Sequence, residues 1–121
     1  RSRKIIDSFD VDFYASFTIN GRFANNVNML MFDRDQPEQI ATMKKLFNAL
    51  IAETARAGYG EYRTHLGWMD AVMDTFDFGD HALRRFNEKV KDALDPNGII
   101  APGKQGIWPA AYRDQAREGR A

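Results

Sequence analysis

Alternation of period two runs from Phe9 to Ile19, with Phe9, Val11, Phe13, Ala15, Phe17 and Ile19 on one side and Asp10, Asp12, Tyr14, Ser16, Thr18 and Asn20 on the other. That pattern predicts a strand with one dry and one polar face. Asn20-Gly21 follows, a pair suited to a type I′ turn because both central residues of that turn take positive φ. Pairing Ile19 with Arg22 then sets Val11 opposite Leu30 and Phe9 opposite Phe32 on the dry face. On the polar face it sets Ser16 opposite Asn25 and Tyr14 opposite Val27.

After the hairpin the period changes. Asp35 offers an N-cap and Pro37 falls in the first turn, where its missing N–H costs little. Ile40, Met43, Leu46, Phe47, Leu50, Ile51 and Thr54 then recur at helical spacing up to Gly58, which predicts a long amphipathic helix over the dry face of the hairpin. Glu61 to Leu66 reads as a short polar third strand. Met69, Val72, Met73 and Phe76 suggest a second helix. A third, capped near Asp80, carries Leu83, Phe86, Val90 and Leu94 and ends at Asp95-Pro96-Asn97-Gly98. The expected class is α+β, an antiparallel sheet with helices packed on one face. A single domain of 1–121 is expected: sheet and helix over 9–66, helices and a glycine turn over 67–108, and a frayed tail over 109–121. Three strands with a bare polar face make a poor sheet on their own, and the chain reads as a piece of a longer one.

Composition narrows the chemistry. The 121 residues are 44% hydrophobic, 12% aromatic and 28% charged, within the range of soluble globular domains. Formal net charge is zero, so no broad basic face is available for nucleic acid. No window approaches the roughly 20 apolar residues of a membrane span, and no secretory stretch is visible. Zero cysteines exclude disulfides and thiolate chemistry and favour a soluble, cytoplasmic setting. His65 and His81 lie sixteen residues apart, a spacing that indicates no metal site. Chemistry must therefore come from Tyr, Arg, Lys, Asp, Glu or a bound cofactor.

Two stretches carry a resemblance. DALDPNGIIAPGKQGIWP, residues 92–109, is similar to the C-terminal end of FAD-linked oxidases of the vanillyl-alcohol oxidase type, in which a DP-x-GI-x-x-PGK pattern follows the last helix. GYGEYRTHLGWMD, residues 58–70, resembles a narrower signature shared by vanillyl-alcohol oxidase, eugenol oxidase and the flavoprotein subunit of 4-cresol dehydrogenase. With FNEKVKDALDPNG these motifs span about half of the chain. The resemblance implies a ferredoxin-like cap-domain portion of a flavoenzyme that oxidises para-substituted phenols by hydride transfer to FAD through a quinone methide. It also implies that FAD is held mainly by an N-terminal FAD-binding domain outside this chain. A homodimer and a cytochrome electron acceptor stay open as partners.

By that resemblance Tyr62 and Arg63 match the family's Tyr-Arg pair. Tyr62 would donate to the phenolate oxygen, and Arg63 would supply positive charge to the phenolate and to the N1–C2=O edge of the flavin. Lys104, in the PGK turn, would contact the same edge, with Pro102 and Gly103 shaping the turn. Ser16 and Asn25 would line the substrate cavity. Without the resemblance, Tyr62 is a sheet tyrosine, Arg63 and Lys104 are solvated cations, and Ser16 and Asn25 are an exposed polar pair. His65 reads as a local hydrogen-bonding residue, and Asp70 as a group that caps or pairs within its own helix. The competing class is a non-catalytic ferredoxin-like module for binding or dimerisation, in which Tyr62, Arg63 and Lys104 need not converge.

Overall fold

The computed structural model describes residues 1–118 and divides into two compact units, residues 1–56 and residue 57 onward. The first contains α1 (Ser2–Ser8), β1 (Tyr14–Asn20), β2 (Phe23–Met29) and α2 (Pro37–Arg56). The opening stretch, for which no helix was expected, forms α1 because adjacent Ile5 and Ile6 reach a common core with α2. Ile6 is fully buried with Met43 and Leu46, and Ile5, Phe9, Val11, Phe13, Leu30 and Leu50 pack around them. Each fully buried aliphatic side chain of this kind contributes roughly 1.5–3 kcal/mol. Arg3 and Asp7 add an exposed ion pair one turn apart, at 3.4 Å.

The dry stripe thus reaches the core through Phe9, Val11 and Phe13, but as an irregular lead-in. Asp10 has a φ of 55°, which interrupts extended backbone, and the strand begins only at Tyr14. Farther along, Phe17 and Ile19 are 66% and 81% exposed, so α2 leaves the distal half of the stripe uncovered. Register also differs from expectation. Asn20 pairs with Phe23, Thr18 with Asn25 and Ser16 with Val27, two residues away from the pairing through Asn20-Gly21. Neither Asn20 nor Gly21 has positive φ, so the I′ geometry that would have fixed the tighter register is not formed. A slip of two conserves side-chain direction, so Ser16 and Asn25 still share a face, as diagonal neighbours. Pro37 begins α2 as expected, whereas the entry is organised by Asp33: its carboxylate accepts from the Asp35 N–H at 2.9 Å, and its own N–H donates to Gln39 Oε1 at 2.8 Å.

The second unit contains an irregular stretch to residue 65, a single 3₁₀ turn at Leu66–Trp68, α3 (Met69–Asp74), α4 (Phe78–Leu94), a second 3₁₀ turn at Lys104–Gly106, and α5 (Ala110–Glu118). The expected third strand is absent: among the described residues the sheet has two strands. His65 Nδ1 accepts from the Gly67 N–H at 3.1 Å, a local bond that bends the chain into the 3₁₀ turn where a ladder would have needed extended backbone. The α+β class holds, as a two-stranded antiparallel sheet with five helices among the described residues.

Packing in this unit departs from the helical stripes. Met69, Val72 and Met73 of α3 are buried, as their spacing suggested. In α4, by contrast, Phe86 and Leu94 are 66% and 77% exposed, and the side chain that is buried is Glu88. The reason lies in α5, which replaces the expected frayed tail over 110–118. Its Arg113 lies 3.3 Å from Glu88 and 2.9 Å from Asp92, and also donates to the Trp108 carbonyl at 2.9 Å. Asp92 in addition accepts from the Ala110 N–H at 2.9 Å, satisfying a free donor of the first turn. The two helices are joined by charge, so a polar stripe of α4 turns inward. The last three residues of the expected tail, 119–121, lie outside the described residues.

Candidate functional site

Tyr62 and Arg63 sit on the irregular stretch ahead of α3, both exposed, and among the described residues neither side chain makes a hydrogen bond or ion pair. Their neighbours are less exposed. Glu61 and Thr64 are half-buried, and burial raises the Glu61 carboxyl above its ordinary range, with partial relief from the Thr64 hydroxyl, whose approach falls short of a full hydrogen bond. His65 caps the following 3₁₀ turn and meets the Trp68 ring edge-on, with centroids 5.5 Å apart. The Tyr-Arg pair stands between two half-buried residues, on a stretch tied down at its end by His65. His65 is thereby structural, as its sequence context suggested.

Lys104 is also exposed and stands in the second 3₁₀ turn. The turn is closed by backbone bonds from Lys104 N–H to Ala101 O at 3.2 Å, Gly106 N–H to Gly103 O at 3.0 Å and Gly103 N–H to Ile107 O at 3.0 Å. Two glycines are required by geometry. At Gly103, φ is 79° and a Cβ would lie 2.5–2.9 Å from the Trp108 indole; at Gly106, φ is 72° and a Cβ would lie 2.6 Å from Met73 Cβ. The turn therefore rests directly on Trp108 and on α3.

Upstream, Asp95 organises the approach to this turn. Its carboxylate accepts from the N–H groups of Ile99 and Ile100, both at 2.9 Å, and pairs with Lys91 at 2.6 Å, while Lys91 also reaches the Ile100 carbonyl. The Lys91 ammonium, followed by the two backbone donors, holds the Asp95 carboxyl below its ordinary range. Asp92 is held low in the same direction by Arg113 and the Ala110 N–H. Because both groups bind protons more weakly when folded, their contribution is fully present above the ordinary carboxylate range near pH 4 and is lost as pH falls through the depressed values. Melting temperature is expected to drop as pH falls below the ordinary carboxylate range near pH 4, and Asp95→Asn should flatten that drop. Differential scanning calorimetry over that fall in pH checks it; an unaltered pH slope in Asp95→Asn is the contrary result.

Both candidate loops converge on the first turn of α3. The stretch bearing Tyr62 and Arg63 enters it through Leu66–Trp68. The turn bearing Lys104 meets it where the Gln105 N–H contacts Met69 Sδ at 3.2 Å and Trp108 Nε1 donates to Asp70 Oδ1 at 2.8 Å. Asp70, expected to act within its own helix, accepts from a residue 38 positions away. A contact of that range leaves no local signal in the sequence. Asp95, expected only to mark the end of α4, is the acceptor that organises the turn after it, a role an Asp ahead of Pro-Asn-Gly is suited to. Ser16 and Asn25 belong to the first unit; Ser16 is exposed and Asn25 half-buried. Among the described residues no cluster of His, Cys, Asp or Glu suits a metal ion, and no helix is long and apolar enough to cross a membrane.

Comparison with known proteins places these features in a family. The chain is 29% identical over 106 residues to the 4-cresol dehydrogenase [hydroxylating] flavoprotein subunit of Pseudomonas putida, covering 88% of this chain and 20% of that protein. It is 28% identical over 117 residues to the 1'-carboxy-chondrochloren decarboxylase of Chondromyces crocatus, again over 20% of the relative. Among solved structures, the 4-ethylphenol oxidase of Gulosibacter chungangensis in its isoeugenol complex superposes with a TM-score of 0.89 at 38% identity, over 93% of this chain and 21% of that one. The p-cresol methylhydroxylase structure with substrate bound gives a TM-score of 0.82 at 29% identity, over 88% and 20%. The chain spans about a fifth of the length of these relatives. Residues 23–105 match the FAD linked oxidases, C-terminal domain, and the chain belongs to that family.

Proposed function

We propose that the chain is the C-terminal part of an FAD-dependent oxidoreductase acting on para-substituted phenols, and that Tyr62 and Arg63 bind the substrate as its phenolate. A phenol with a pKa of about 10 costs roughly 4 kcal/mol to ionise at pH 7. Ionisation sends electron density across the ring and eases oxidation of the carbon at the para position. A site for this chemistry must therefore offer a hydrogen-bond donor and a fixed positive charge to one oxygen. The reading is supported chiefly by the adjacent Tyr62 and Arg63, exposed and without internal partners among the described residues. The names of the relatives, 4-cresol dehydrogenase and 4-ethylphenol oxidase, support the same substrate class.

The residues present suit FAD as contacts at its edge. Arg63 and Lys104 are exposed cations on loops that meet one helical turn, a donor set fitted to an electron-rich ring edge. When bound, the flavin supplies the two-electron sink. Arg63 would hold positive charge against the phenolate oxygen, Tyr62 would donate a hydrogen bond to that oxygen, and Lys104 would face the cofactor edge.

The reading is tested by the ionisation state of a bound, non-oxidisable para-substituted phenol in the complete enzyme. Near-ultraviolet difference spectra at pH 7 should show phenolate in the parent. In Tyr62→Phe the apparent pKa of the bound phenol should rise by about one unit, as one donor is worth around 1.5 kcal/mol or more to a charged acceptor. Binding of the neutral phenol in the parent is the contrary outcome.

A further inference from the structure

Trp108 occupies a mechanical position between α3 and the Lys104 turn. Its indole N–H, which can only donate, is bound to Asp70 Oδ1 at 2.8 Å in the first turn of α3. Its ring lies against Gly103 so closely that a Cβ there would sit within 2.5 Å of it. Gly103 immediately precedes Lys104, and backbone bonds on both sides close the turn that carries the lysine. The same helical turn begins where the stretch bearing Arg63 ends, through the 3₁₀ turn that His65 caps. A contiguous chain of contacts runs from Asp70 to Trp108, Gly103 and Lys104.

We propose that the Asp70–Trp108 hydrogen bond sets where Lys104 stands relative to Arg63, making Asp70 and Trp108 positioning residues for the two cations that face the cofactor edge. This rests on the assignment of Lys104 to the flavin under the proposed function. Neither residue touches the reacting atoms. An indole without its partner is free to tilt, and Gly103, having no side chain to brace the turn, follows it. Lys104 then moves away from the position at which its charge acts.

The test is made in the complete, flavin-loaded enzyme. Trp108→Phe keeps a ring over Gly103 and removes the donor; Asp70→Ala removes the acceptor. Each should lower the flavin midpoint potential and slow flavin reduction by roughly 10- to 100-fold, as displacements near 1 Å do. The double variant should be no worse than the more affected single, since both act on one link. Asp70→Asn, which retains an acceptor oxygen, should recover most of the potential. Lys104→Met provides the reference shift. If Lys104→Met lowers the potential while a folded Trp108→Phe leaves it unchanged, the link is overturned and the role of Lys104 stands. If Lys104→Met itself leaves the potential unchanged, both are overturned. Should Asp70→Ala fail to fold, Trp108→Phe decides alone.

Discussion

Replacing Arg63 with alanine is expected to slow reduction of the flavin by a phenolic substrate by about 10²–10³, the usual cost of deleting one preorganised donor to developing negative charge. The effect should fall mainly on the rate of reduction at saturating substrate, because the negative charge that Arg63 would face at the cofactor edge develops only as the substrate's electrons arrive there. Arg63→Lys should recover only part of it: an ammonium keeps the charge and loses the planar fork that reaches two acceptors at once. Stability provides the control. Arg63 is exposed and makes no hydrogen bond or ion pair among the described residues, so Arg63→Ala should move the unfolding free energy by no more than about 0.5 kcal/mol. Stopped-flow reduction alongside thermal unfolding separates the two. A stable variant with unchanged reduction kinetics removes Arg63 from the mechanism.

The largest stability loss is expected at Gly106, in the turn that carries Lys104. Its φ of 72° is unfavourable for a residue bearing a Cβ, and that Cβ would meet Met73 Cβ at 2.6 Å and the Met69 carbonyl at 3.1 Å. Left-handed strain and overpacking each carry a cost of about 1–3 kcal/mol, and here they fall on one atom, so Gly106→Ala should lose about 3 kcal/mol or more. The neighbours have little room to yield. Met73 and Met69 are buried, and the Met69 carbonyl belongs to helix backbone. Gly21→Ala is the matched control: nothing lies within 4 Å of its Cβ position and its φ is not positive, so the change should be close to neutral. Equal melting temperatures for the two variants would show that the Lys104 turn is not seated on α3 as described.

Fold and site were legible in the sequence to different depths. Helical periodicity located α2 and α3 because Met43, Leu46, Met69 and Met73 are buried in their own units. The same periodicity misled at α4, where Phe86 and Leu94 are exposed and Glu88 is buried, since ion pairs to Arg113 from a helix placed in the expected tail decide which side faces inward. The hairpin was found, yet the register expected for it needed turn backbone that the Asn20-Gly21 pair does not adopt. A third strand over Glu61 to Leu66 failed because one side-chain acceptor, His65 Nδ1, offered the backbone a turn. At the candidate site, the residues proposed for it could be named from motifs, and their supports could not. Tyr62, Arg63 and Lys104 stand in short contiguous runs, whereas the Asp70–Trp108 link spans 38 positions and exists only once the chain has folded.

Ionisation of the substrate is the point on which the proposed chemistry turns, and one comparison isolates it. The complete enzyme is mixed anaerobically with 4-ethylphenol and, separately, with its O-methyl ether, which has the same ring and para carbon but no ionisable oxygen. Flavin absorbance is followed in the stopped flow. Rapid bleaching by the phenol and none by the ether is expected, and bleaching by both at comparable rates, or by neither, would contradict phenolate-driven oxidation at this site.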